Sequence, residues 1–413
     1  MLDALPAQTN SDLRRYTIAQ VASTFGSTMT STTVAVTAVT VLAAGPHEVS
    51  LVVAASGIPP LVLGPFAGVL LDRVRRPRRL LIGADLLAAM AITVCAVAAL
   101  THLLTVATLI GLSLTLGVTG VARAGLYFSH LSTLGVRDLS TTRARLQANA
   151  LLARSAGASV AGPLLTAVGA AVMFGCDVLT YLFSAYCLSG LSAPDHRETA
   201  RRGGIAREFA DGVRVLRDST VLAALALYLL IGGAAAGGVA ALRAVFLLTE
   251  VRIPVSVYGI PAVAATLSAA LGALAAPRIL AAGISPRQAL RGTVLAAAAC
   301  ALALPLATGP VPLALLIVCA STAVPTLCGA IMNIALITVL GTDVGDRYFA
   351  RVGALLGTGT TAANLTGALL GGLLGERCGV RTGIWIFVLA DLVAACAFTL
   401  VLARRPGQRT ANT

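Results

Sequence analysis

Lysine is absent from all 413 residues, so each of the 30 basic positions is an arginine. Without lysine no Gly-rich phosphate loop ending in Lys-Ser/Thr can be written, and ATP is not the expected energy source. Charge of any sign is scarce at 11%, against roughly 25% in soluble domains. Hydrophobic residues reach 57%, which leaves too little polar surface to coat a water-soluble globule. Aromatic residues are equally sparse at 4%, with a single tryptophan. A cavity in such a chain is aliphatic, which suits an amphiphilic organic solute better than a sugar. The four histidines (His47, His102, His130, His196) lie in or near loops without metal-ligand spacing, and no acidic pair or activated nucleophile is evident. No metal, cofactor or enzymatic activity is therefore expected. Seven of the eight cysteines fall inside apolar runs as small packing residues.

What the chain has instead is apolar runs of about 20 residues, the length that crosses a bilayer as a helix. They predict twelve helices, near 16–43, 49–71, 80–100, 104–128, 146–167, 170–191, 220–248, 257–277, 290–308, 312–340, 352–374 and 383–403. The first run is too long for a signal-peptide core and is followed at once by another span, so it reads as an uncleaved first helix.

Arginine placement sets the expected orientation. With the N-terminus inside, only Arg252, Arg377 and Arg381 fall in outer loops, and Arg123, Arg154 and Arg243 fall within spans. The others cluster inside, which predicts both termini in the cytoplasm. A formal charge of +13 is thus read as topology, with no nucleic-acid partner. Arginine-only, alanine-rich usage points to a GC-rich bacterial genome and so to a bacterial plasma membrane.

The longest polar stretch, 192–219, divides the spans six and six. It predicts an N-terminal half at 1–191, a cytoplasmic linker, and a C-terminal half at 220–413. The halves echo each other: "ARLQANALLA" from Ala144 has a counterpart in "ARVGALLGTG" from Ala350, and "AGVLLDRVRR" from Ala67 in "LGALAAPRIL" from Leu271. Such echoes are what an internal duplication leaves.

The stretch "GPFAGVLLDRVRRPRRLL" from Gly64 sets one aspartate beside five arginines. A carboxylate at the end of a helix opposes the macrodipole unless cations hold it there. With twelve spans, this loop resembles the major facilitator superfamily and its Gly-x-Leu-Ala-Asp-Arg-x-Gly-Arg-Arg motif. Gly68, Leu70, Asp72, Arg73 and Arg76 match; Leu71, Arg75 and Pro77 depart from it. The resemblance implies an all-α membrane protein of two six-helix halves, working by alternating access. It also implies that Gly68, Asp72, Arg73 and Arg76 form a gate on the cytoplasmic side.

Further stretches resemble the enterobactin-exporter and macrolide-efflux branch. Its helix-five start is matched by Arg145, Ala148, Asn149 and Leu151, with Gly162 and Pro163 later in the helix; "MFGCDVLTYLFSA" places Asp177 at the branch's helix-six aspartate. The branch implies export of a hydrophobic or amphiphilic molecule, such as an antibiotic, drug or siderophore, by proton antiport. Import of a small metabolite and a transporter-like sensor stay open, and the expected assembly is a monomer.

Charged groups inside the spans cost about 2.5–3.5 kcal/mol each at the bilayer centre. Asp85, Arg123, Arg154, Asp177 and Asp391 are accordingly the candidates for proton coupling, with Asp177 and Asp391 foremost. Each aspartate either titrates during transport or is pinned by a partner. Helix one offers Gln20, Thr24, Ser27 and Ser31 on one face. Thr24, Ser27 and Ser31, with Asn333 and Asn364 in helices ten and eleven, are candidates for a polar cavity wall. Serines and threonines could equally bond their own helix carbonyls.

Overall fold

The computed structural model describes residues 7–72, 74, 76–131, 139–191, 214, 219–343 and 346–404. Within its helices, the side chains at 7–10, 65–72, 127–131, 139–141, 143–144, 339–343 and 346–351 lie outside that description. The described residues are almost entirely helical. α1 spans Ala7–Thr40, α2 Pro46–Asp72, α3 Pro77–Leu100 and α4 Val106–Leu131. A 51-residue run, Leu139–Ser189, is broken at Gly169, whose φ of 78° and ψ of 169° end one helix and begin another. We label the two parts α5 (139–168) and α6 (170–189). Then come α7 Thr220–Val245, α8 Ile260–Ala281, α9 Pro286–Ala301, α10 Val311–Asp343, α11 Asp346–Cys378 and α12 Val380–Arg404.

Local chemistry explains several boundaries. Pro77 and Pro286 occupy first-turn positions, where a missing N–H costs no helical bond. Ser285 and Gln288 cap α9 reciprocally: the Gln288 N–H donates to Ser285 Oγ at 3.3 Å and the Ser285 N–H donates to Gln288 Oε1 at 3.1 Å. Ser219 caps α7 through the Leu222 N–H.

Each connection from an odd helix to the next even one passes through one residue of positive φ. These are Ala43, His102, Gly169, Arg252, Gly309 and Gly379, in chain order. Positive φ lets the chain change direction within a short connection. The six connections share this one backbone feature across both halves of the sequence.

Among the described residues, nine helices are long and apolar enough to span a membrane, with Arg145–Ser189 counted as one of them. α1 and α11 fall outside that set because they are rich in threonine, serine and glycine. Their length, 34 and 33 residues, still exceeds the roughly 20 a bilayer needs.

The side chains confirm the solvent. On α6 the face carrying Asp177, Tyr181, Ser184 and Leu188 is fully buried, while Leu179, Leu182, Phe183 and Tyr186 are exposed. Polar groups inward and apolar groups outward suit lipid and would fail in water.

Contacts divide the chain into two compact units, Met1–Gly203 with Pro254–Val263, and Gly204–Ile253 with Ala264–Thr413. In the first, α1 lies against α5 and α6, α3 against α6, and α2 against α4. Small residues permit this. A Cβ on Gly157 would stand 2.6 Å from the Phe25 carbonyl oxygen, and one on Gly117 2.8 Å from that of Ser56. In the second, α7 packs on α11 and α12, and α9 on α10. Glycines one turn apart on both helices, Gly233 and Gly237 on α7 and Gly367 and Gly371 on α11, bring the backbones into contact.

Candidate functional site

The five candidate charges named from the sequence lie on five helices; the fold of the first unit gathers three of them. Asp177, Tyr181 and Ser184 follow a spacing of four and three along α6, hence one face. That face meets α1, α3 and α4.

Asp177 is completely buried. Its Oδ2 accepts from Thr30 Oγ1 of α1, and its Oδ1 from Thr180 Oγ1 at 2.7 Å. Gly26 of α1 sits directly opposite, where any Cβ would overlap Asp177 Oδ1 and Thr180 Oγ1. Two turns further along α6 from Asp177, Ser184 Oγ donates to Asp85 Oδ2 of α3 at 2.6 Å. The other Asp85 oxygen faces Arg123 of α4, at 4.0 Å from its guanidinium. The same guanidinium lies over the Tyr181 ring, 5.0 Å from its centroid. Two buried carboxylates, one cation and four hydroxyl groups thus lie within one continuous stretch of packing.

Arg123 has a second face. It lines a cavity of about 440 Å³ between α1, α2 and α4, whose other polar walls include Ser27, Ser31, Ser56 and Ser113. The remaining wall is aliphatic, contributed by residues such as Val34, Val52 and Leu116. Arg123 thus stands between this cavity on one side and Asp85 on the other.

Ser27 and Ser31 line the cavity, and each donates to its own helix, to Thr24 O at 3.1 Å and Thr28 O at 2.9 Å. Thr24 contributes its carbonyl to that ladder and is not among the cavity walls. A hydroxyl that bonds backward still offers an oxygen lone pair outward.

Other expected residues lie apart. Arg154 is exposed on α5 and shares a face with Ala158 and Gly162. There the first unit is tight: Gly162 abuts the Val255 carbonyl and Gly259 the Ala158 carbonyl, so neither admits a Cβ. Pro163 follows in the α5 interior. In the second unit, Asp391 of α12 lies against Gly232 of α7, whose Cβ would be 3.1 Å from Oδ1. Asn364 donates to the Gly233 carbonyl at 3.3 Å, within the α7–α11 seam. Asn333 is exposed on α10.

Of the loop motif, Arg73 lies outside the described residues, as do the surroundings of Gly68 and the side chain of Asp72. α2 ends at Asp72 and α3 begins at Pro77, after an exposed Arg76. Arg145 and Asn149 border a separate pocket at the start of α5.

Among the described residues the chain forms twelve helices, and its first unit holds a buried ionic cluster beside a cavity, an arrangement that a polytopic membrane transporter can use. The family model for transmembrane secretion effectors, MFS_3, matches residues 7–411, and the chain belongs to that family of major facilitator transporters. Solved structures share the fold. A variant of the nucleoside transporter NupG superposes with a TM-score of 0.78 at 15% identity, over 95% of this chain and 98% of that one. A bacterial homologue of the human lysosomal transporter Spinster gives 0.69 at 14% identity, over 97% and 98%. An auto-inhibited peptide transporter of the POT family gives 0.67 at 12% identity, over 99% of each chain. No curated protein sequence matches the chain. Its class is therefore a membrane transporter and not an enzyme.

Thr30, Thr180, Tyr181 and Ser184 were not singled out by sequence as site residues. The signal was present, because Tyr181 and Ser184 repeat at helical spacing from Asp177 on a helix whose opposite face is apolar apart from the Tyr186 hydroxyl.

Proposed function

We propose that the protein exports a hydrophobic or amphiphilic small molecule from the bacterial cytoplasm by proton antiport. The observation that carries this reading is the position of Arg123, shared between Asp85 and an aliphatic cavity. A proton arriving at Asp85 cancels the charge that balances Arg123, and the net positive charge then left beside the cavity holds water there and disfavours an apolar or cationic solute. Loss of the proton restores the balance, and the cavity accepts the solute again. Proton and solute thereby exclude each other, which is the coupling an antiporter requires. Asp177, held by Thr30 and Thr180, ties α1 to α6, so its charge state bears on the helix that carries Ser27 and Ser31. Asp391 is the corresponding carboxylate of the second unit. Gly68, Asp72, Arg73 and Arg76 serve as the cytoplasmic gate, and both termini lie in the cytoplasm.

The test is dye retention in a pump-deficient host expressing the wild type or Asp85→Asn, with and without a protonophore. Lower retention in the wild type, abolished by the protonophore and by the substitution, is expected. Raised retention, or retention indifferent to the proton gradient, would overturn export by antiport.

A further inference from the structure

Arg14, Arg15, Arg78 and Arg145 lie where α1 and α5 begin and α6 ends, and only two of them are engaged by the protein. Arg78 donates to the Leu191 carbonyl at 2.6 Å and to the Ser189 carbonyl, and Arg15 donates to the Gly190 carbonyl. These two cap the C-terminus of α6, where cations are favoured. Arg14 and Arg145 do not cap it. Both are exposed, and both border a pocket of about 470 Å³ between α1 and α5. Thr17, Thr142 and Asn149 complete its polar wall, while Leu13, Ile18 and Leu146 form an apolar flank. Arg14 and Arg145 make no hydrogen bond or ion pair to other described residues.

Depth along the helices is informative. At 1.5 Å per residue, Arg14 lies about 39 Å from the far end of α1 and Arg145 about 36 Å from the break at Gly169. Both distances exceed the hydrocarbon thickness of about 30 Å and fall at headgroup depth. A pair of guanidiniums at that depth, next to a carboxamide and hydroxyls and flanked by leucine and isoleucine, matches an oxyanion joined to an alkyl tail.

We infer that the pocket between α1 and α5 binds the anionic head of an amphiphile, a phosphate or carboxylate held by Arg14, Arg145 and Asn149. The apolar flank takes the first carbons of the tail. Two sources carry that chemistry, an anionic phospholipid of the surrounding leaflet and an anionic solute. The inference does not depend on the direction or coupling of transport. It also gives a task to two residues of the helix-five motif, Arg145 and Asn149.

The experiment uses the full-length protein in neutral detergent and a fluorescent short-chain phosphatidylglycerol. Saturable binding is expected, displaced by octyl phosphate and not by octyl glucoside. Arg14→Gln and Arg145→Gln should each weaken binding at least fivefold, and Arg79→Gln, at an exposed arginine near the same end, should leave it unchanged. If either arginine variant fails to fold, Asn149→Asp supplies the test, because a carboxylate at that position should repel the ligand with both arginines in place. Displacement by octyl glucoside, or an equal loss in Arg79→Gln, would overturn the site. Two further arms identify the source. Uptake of radiolabelled octyl phosphate into proteoliposomes assigns the pocket to a transported anion. No uptake, with a melting temperature raised in phosphatidylglycerol nanodiscs over phosphatidylcholine ones and lost in Arg145→Gln, assigns it to lipid. Neither uptake nor stabilisation would also overturn the inference.

Discussion

Asp85 and Arg123 stand 4.0 Å apart and are unequally shielded, with 1% of the Asp85 side chain exposed and 13% of Arg123. Arg123→Gln leaves a buried carboxylate uncompensated, at a cost of about 3–5 kcal/mol. Asp85→Asn leaves a cation that can turn to the neighbouring cavity, so the loss is smaller. The double variant should recover most of the stability that Arg123→Gln loses. Thermal unfolding of the four proteins in detergent checks the order, and equal losses in the two single variants would contradict it.

For Asp177, a neutral replacement is structurally mild. The hydroxyls of Thr30 and Thr180 can rotate to accept from an amide as readily as they donate to a carboxylate. Asp177→Asn should stay within about 1 kcal/mol of the wild type, while transport loses its dependence on pH. Asp391→Asn is expected to act likewise. Transport measured across a pH series decides, and an unchanged profile in both variants would remove these residues from proton coupling.

The loop motif predicts a separate phenotype. Asp72→Asn should lower transport several-fold with membrane insertion intact, as judged by expression and protease accessibility. Normal flux from a well-expressed variant would sink the gate.

The seam between α7 and α11 is set by backbone contact. A Cβ on Gly367 would overlap the Ala234 carbonyl and one on Gly237 the Asn364 carbonyl, whereas Gly357 has nothing within 4 Å. Gly367→Ala and Gly237→Ala should each destabilise by about 1–3 kcal/mol, and Gly357→Ala should not. Denaturation midpoints of the three variants test this.

Ala43 and His102 adopt positive φ without being glycine. Such a conformation costs about 1–2 kcal/mol, partly offset in a glycine replacement by chain entropy. Ala43→Gly and His102→Gly are expected to raise stability by about 0.5–1 kcal/mol, read as higher melting temperatures.

The helices were legible in the sequence because lipid demands long apolar runs, and the break at 169 fell between two predicted spans. α1 starts earlier than expected, at Ala7, because polar residues such as Arg14 and Arg15 can continue a helix beyond the hydrocarbon. The cluster was only half legible. Asp85, Arg123 and Asp177 stood out as charges in apolar runs, but nothing local says that Asp85 and Ser184, 99 positions apart, share a hydrogen bond. Arg78 fits the rule that basic residues gather on one side of a membrane; its capping of α6 depends on two helix ends meeting in space.

The six positive-φ residues also divide the chain into pairs of helices, each an odd helix and the even one that follows. α3 with α4, α9 with α10 and α11 with α12 pack directly on each other, so each of these pairs is a hairpin whose arms cover part of each other's surface without help from a third helix. His102, Gly309 and Gly379 are the tips of those hairpins.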